Sequence, residues 1–160
     1  MPRSCLVLLL LSLLTTTAGC SRPATPAPAD GVLATSAHLV RARAGDAVFQ
    51  ASAMDVSRLD PAIAARYGLN PGRGGALLLV TLRDADGDAL APDDLVLTAT
   101  ASVLPDPPEA LELQHLQVDG LNDYVGVFAA RAPANVQFHV IATRHGRRAE
   151  LDTHVQLYPP

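Results

Sequence analysis

Between residues 135 and 157, apolar and polar side chains alternate on both sides of Gly146-Arg147. This alternation constrains the fold more than any other feature of the chain. A period of two sends successive side chains to opposite faces of a strand, so two such runs around a glycine turn predict an antiparallel pair with one buried face. A turn centred on Gly146-Arg147 pairs Val136 with Leu157, Phe138 with Val155, Val140 with Thr153 and Ala142 with Leu151 on the apolar face. The other face then pairs Gln137 with Gln156, His139 with His154, Ile141 with Asp152 and Thr143 with Glu150. A one-residue slip would set apolar against polar residues, whereas a two-residue slip leaves both faces intact. The faces are thereby determined, and the register keeps one competitor.

Similar strand-like runs occupy residues 38–43, 46–54, 76–83, 94–103, 110–118 and 123–131, separated by turn residues. Asp86-Gly87 predicts a hairpin turn, and Asp119-Gly120 predicts another reversal. Both cysteines, Cys5 and Cys20, lie in the first twenty residues, so the domain behind them has no disulfide. With no Trp, 3 Phe and 3 Tyr, its core must come from Leu, Val and Ala. Short strands at this density predict an all-β, immunoglobulin- or fibronectin-like antiparallel β-sandwich.

One stretch, 57–75, breaks the pattern. Asp60-Pro61 has the chemistry of a helix start, a capping carboxylate followed by proline at the first helical position. Leu59, Ile63 and Tyr67 are spaced by four, which puts them on one side of a short helix, and Gly68 supplies the stop. The sandwich is therefore expected to carry one short helical insertion, followed by the loop Asn70-Pro71-Gly72-Arg73-Gly74-Gly75.

The N-terminus reads as an export signal. Arg3, the apolar run Leu6 to Leu14 and the small residues Ala18-Gly19 before Cys20 form a secretory leader too short for a stable membrane span. Cys20 behind Ala-Gly is lipobox-like, with Thr17 where leucine is usual; plain secretion is the competing reading. The expected organisation is a signal at 1–19, a lipidated Cys20 with a Pro/Ala tether to residue 36, and the sandwich at 37–160. The anchor predicts membrane attachment facing the periplasm, and Ser21 favours the outer membrane over the inner.

A net charge of −4 argues against nucleic acid as a partner, because that role needs a basic face. All basic residues are arginine, as a GC-rich genome would also produce. Two clusters stand out as a possible binding surface. Arg66, Tyr67 and Arg73 sit on the insertion, and loops on a rigid sandwich commonly carry binding. Arg144, Arg147 and Arg148, with His145, make a basic hairpin tip. Each cluster also has an ordinary reading, the first as a plug for one end of the sandwich and the second as a solvated turn.

Catalysis and metal binding have thinner support. The domain offers no cysteine nucleophile and no Gly-x-Ser-x-Gly elbow, and 72–75 lacks the residues of a phosphate loop. The acidic run from Asp84 to Asp88 fails the EF-hand spacing and reads as a solvated turn. His139 and His154, if opposite one another, could take zinc or copper, provided that His115 or Met54 added a ligand. No other cofactor is expected.

The stretches Gly45-Asp46-Ala47-Val48-Phe49, Leu59-Asp60-Pro61-Ala62-Ile63-Ala64 with Gly68-Leu69, and Ala76 to Leu82 together resemble a proteobacterial exported family known as domain of unknown function 4426. Its pattern is a Gly-Asp-aromatic strand, a "Leu-x-Pro-Glu-x-Ala" turn ending in Gly-Leu, and an apolar strand. This chain has Ala62 at the acidic position, and Ala53-Met54-Asp55-Val56 where the family is Asn-rich. The resemblance implies a small exported protein and brings no reaction with it. The functional expectation is a non-enzymatic envelope module that binds another envelope protein. A metal-binding envelope protein is the alternative.

Overall fold

The computed structural model describes residues 39–159. Among the described residues, nine strands form two antiparallel sheets packed face to face, so the sandwich is as expected. They are β1 (Val40–Ala44), β2 (Ala47–Asp55), β3 (Ala76–Arg83), β4 (Leu95–Val103), β5 (Glu109–Leu111), β6 (Gln114–Val118), β7 (Leu121–Phe128), β8 (Ala134–Arg144) and β9 (Arg147–Leu157). The five-stranded sheet runs β1-β2-β3-β7-β6 and the four-stranded sheet β5-β4-β8-β9. The signal, Cys20 and the whole tether lie outside the described residues.

The core lies between the sheets. β2 and β4 contribute small residues such as Ala51, Ala53, Ala99 and Ala101, which leaves room for Leu78, Val80, Leu82, Val136, Val140 and Leu157. Phe49 and Phe138 are the largest fully buried side chains, so two of the few aromatics anchor a core otherwise built from Leu, Val and Ala.

The β8–β9 faces are as predicted, but the register is the two-residue competitor. Val136 faces Val155, Phe138 faces Thr153 and Val140 faces Leu151. The turn is His145-Gly146, with φ of 47° and 70°, and Arg144 pairs with Arg147. A two-residue hairpin loop of this kind needs positive φ at both central residues. His145-Gly146 meets that need, whereas a turn at Gly146-Arg147 would force arginine into it. The slip leaves every face intact and changes each partner: His139 now faces Asp152, and His154 faces Gln137.

Two other expectations change. The run 110–118 is two strands, because the chain leaves the four-stranded sheet after Leu111 and enters the other at Gln114. Leu111 and Leu113 both still pack on the core, so the alternation hides the crossing. Asp86-Gly87 lies in a local turn, where Asp84 Oδ1 accepts from the Asp86 and Asp88 amides. That turn reverses the chain, with an antiparallel bridge between Arg83 and Ala89, but the reversal ends there because β3 and β4 belong to different sheets. Asp119-Gly120 does close one, between β6 and β7.

The insertion folds as α1 (Pro61–Arg66) between two 3-10 turns, Val56–Arg58 and Pro71–Arg73. Asp60 caps the helix through the Ala62 amide at 2.8 Å, and Gly68 ends it at φ 66°. The predicted helix face is corrected. Leu59 and Tyr67 pack inward, but Ile63 is 44 % exposed and Ala64 is the buried helical residue. Leu59 and Tyr67 flank a six-residue helix without lying in it, so helical spacing does not govern their direction. The insertion does not plug an end of the sandwich. It covers the outer face of the five-stranded sheet, where Val56, Leu77 and Val125 form a second, smaller core.

Candidate functional site

Three depressions share walls around one end of the sandwich. The first, about 320 Å³, lies between the loop 71–75, the β7–β8 connection and the end of β9. The second, about 630 Å³, lies between β5 and the end of β7. The third, about 520 Å³, runs from that gap to Tyr67 and Leu69 of the insertion. Ala130 and Arg131 line both the first and the second; Glu112 and Val127 line both the second and the third. The three adjoin through these residues and together make up the end groove.

Two glycines shape it. Gly75 has φ 102°, and a Cβ there would lie 2.7 Å from the Phe128 carbonyl oxygen, so only glycine lets the loop close onto β7. At Gly126 a Cβ would lie 2.9 Å from the Glu112 carbonyl oxygen. That approach is where the chain crosses from β5 to β6.

At the first depression, Asp55 ends β2 with its side chain buried. Its Oδ1 accepts from the Ser57 amide at 2.9 Å and the Ser57 hydroxyl at 2.6 Å, which holds the 3-10 turn. Its Oδ2 has no hydrogen-bond partner; the Arg58 Nε stands 3.8 Å away. Arg58 also lies over the Tyr158 ring at 5.1 Å. Arg73 and Arg131 complete a cationic rim. The second depression is acidic, with Asp106, Glu109 and Glu112 against the single cation Arg131. The groove thus changes sign along its length.

The predicted residues are dispersed. Arg73 lies in the groove. Arg66 is exposed and pairs with Asp119 at 3.3 Å. Tyr67 borders the third depression, and its hydroxyl donates to Asp123 Oδ2 at 3.1 Å. Arg83 binds the other oxygen of Asp123, also at 3.1 Å. Burial, and then the Asp123 charge, push the Tyr67 hydroxyl above its ordinary pKa of 10.0.

The hairpin tip is at the far end of β8 from the groove and is less basic than expected. Arg144 is corrected from surface to interior: it is 5 % exposed and bonded to Asp46. That contact, first of all, holds the Asp46 carboxyl below its ordinary value. His145 pairs with Asp94 and Arg148 with Glu150, while Arg147 is exposed.

His139 and His154 share the outer face of the four-stranded sheet but are not opposite one another. His139 Nδ1 lies 2.7 Å from Asp152 Oδ1. Among the described residues, no group of three or more His, Cys, Asp or Glu is placed to hold a metal ion. His115 lies away from this pair, in β6, where it stacks on Tyr124 and binds Asn122.

The sequence model of a family described as a domain of unknown function (DUF4426) matches residues 41–159. The chain belongs to the DUF4426 family. A solved DUF4426 family protein (PA0388) from Pseudomonas aeruginosa PAO1 has the same fold, with TM-score 0.53 and 17% identity over 76% of this chain and 96% of that one. FetP of uropathogenic E. coli strain F11 is more distant, with TM-score 0.47 and 8% identity over 76% of this chain and 93% of its own. No curated protein matches the chain. DUF4426 membership bears out the family resemblance read from the sequence and brings no reaction with it.

Most groove residues escaped the sequence reading. Asp55 had left a signal, as a carboxylate at an inward position of β2 beyond Phe49, Ala51 and Ala53. Gly126 within a strand run was another. Arg131, Glu109, Glu112 and Tyr158 carried none, because the tertiary fold alone brings them together.

Proposed function

We propose that this chain is a non-enzymatic binding module of the bacterial envelope, lipid-anchored at Cys20, that takes its ligand in the end groove. The observation that carries this reading is that the depressions adjoin, sharing Arg131, Glu112 and Val127, with cationic and acidic stretches in sequence. Such a groove suits a ligand lying across it with charges of its own, and the rigid sandwich holds its walls in place. The leader and tether support an anchored domain that reaches into the periplasm, with the outer membrane favoured by Ser21.

Mass spectrometry of the mature protein from membranes tests the anchor: an acyl mass on Cys20 is expected, and an unmodified chain overturns it. Photo-crosslinking from Ala129 in living cells tests the groove. The expected product disappears in Arg73→Glu/Arg131→Glu and survives Arg147→Glu at the remote tip. A product unaffected by either variant removes the groove as the binding site.

A further inference from the structure

We infer that the groove takes an extended, basic polypeptide segment, which pairs as an added strand with the open edge of β5. The inference rests on the groove being the binding site. β5 is the edge of its sheet: Glu109–Leu111 pair only with β4, through Ala101, Thr100 and Ala99. Across the gap, residues 126–128 of β7 pair only with β3, because β6 stops at the Gln114–Val125 pair. Among the described residues, no backbone hydrogen bond outside these ladders engages either segment.

The second depression therefore has main-chain pairing capacity on both walls. β5 and β7 pinch together where Glu112 passes over Gly126, and the groove opens from there. An unpaired strand edge is a template for another chain, and natural proteins usually blunt or cover it. This edge is short, three residues behind Pro107-Pro108, but among the described residues nothing pairs with it, and it lies beside Asp106, Glu109 and Glu112, so the electrostatics select a segment with Lys or Arg side chains. Arg131 and Arg73 further along favour a carboxylate at its end.

The test uses the mature chain from Cys20, isotope-labelled, and three free-acid hexapeptides: alternating Lys-Val, alternating Glu-Val, and the Lys-Val peptide N-methylated at every residue. NMR follows the backbone amides. The Lys-Val peptide is expected to shift the amides of Glu109–Leu111 and to protect those that point away from β4, the Glu-Val peptide to bind at least tenfold more weakly, and the N-methylated peptide to lose the protection. Equal binding of the parent and N-methylated peptides overturns strand addition. So does a Lys-Val peptide that leaves those amides unmoved. If the amides pointing away from β4 are already protected without peptide, the edge is already covered and the proposal falls. Should it fall while crosslinking still depends on Arg73 and Arg131, the groove stands as the binding site with a different ligand. Loss of both removes the site itself.

Discussion

Gly126 lies beneath Glu112 so closely that a Cβ at the glycine would stand 2.9 Å from the Glu112 carbonyl oxygen. The contact ties the two sheets together, because it holds the segment that leaves β5 for β6 against β7. Gly126→Ala should therefore cost stability through overpacking, by about 1–3 kcal/mol. Urea unfolding would show a lower midpoint at unchanged slope. Since the added methyl would push Glu112 outward, the groove beside it should widen as well.

Gly75→Ala should cost at least as much as Gly126→Ala. Both glycines face a backbone carbonyl oxygen, but Gly75 adds a positive φ of 102° and a closer approach, with a Cβ 2.7 Å from the Phe128 oxygen against 2.9 Å from the Glu112 oxygen at Gly126. Thermal unfolding of the two variants side by side checks the order.

Tyr67→Phe should cost about 0.5–1.5 kcal/mol, the value of one ordinary hydrogen bond, because Asp123 keeps Arg83 as a partner. The neutral hydroxyl is the favoured form in the fold, so its pKa lies above the ordinary 10.0. Its stabilising effect is complete below that value and is lost as pH rises through the higher folded one. Phenolate absorbance, titrated in the parent and in Tyr67→Phe, should show one late-titrating tyrosine fewer in the variant.

The Asp46–Arg144 pair has the opposite sign. Arg144 lowers the Asp46 pKa from its ordinary 3.8, so the contribution is present above that value and is lost as pH falls through the lower folded one. Asp46→Asn should bring parent and variant closer in stability at strongly acid pH than at neutral pH. Denaturant curves at the two conditions measure it.

Asp55→Ala should cost about 0.5–2 kcal/mol, because it removes the acceptor that holds the Ser57 amide at the start of the 3-10 turn. Calorimetry reads the loss. Crosslinking at Ala129 should also fall, since the same turn supports the cationic end of the groove.

Local chemistry made the sandwich, the capped helix and the two faces of the last hairpin legible, and each rests on residues close in the chain. Asp60, Pro61 and Gly68 act within one short segment, and alternation from Val136 to Leu157 needs no distant partner. The register escaped because a two-residue slip conserves both faces; the φ demands of His145-Gly146 decided it. Arg144 looked like a surface charge because nothing near it in sequence announces Asp46, which lies on the β1–β2 turn.

The groove marks the same boundary more sharply. Arg73 could be noticed from the sequence, but Arg131, Glu112 and Tyr158 become its neighbours only when strands from both sheets end side by side. Alternation determines which side chains face the core, since that choice has a period of two within each strand. Which strand ends meet, and which edges are left unpaired, depends on crossings such as Glu112 over Gly126 that join residues through space, and only the tertiary structure decided them.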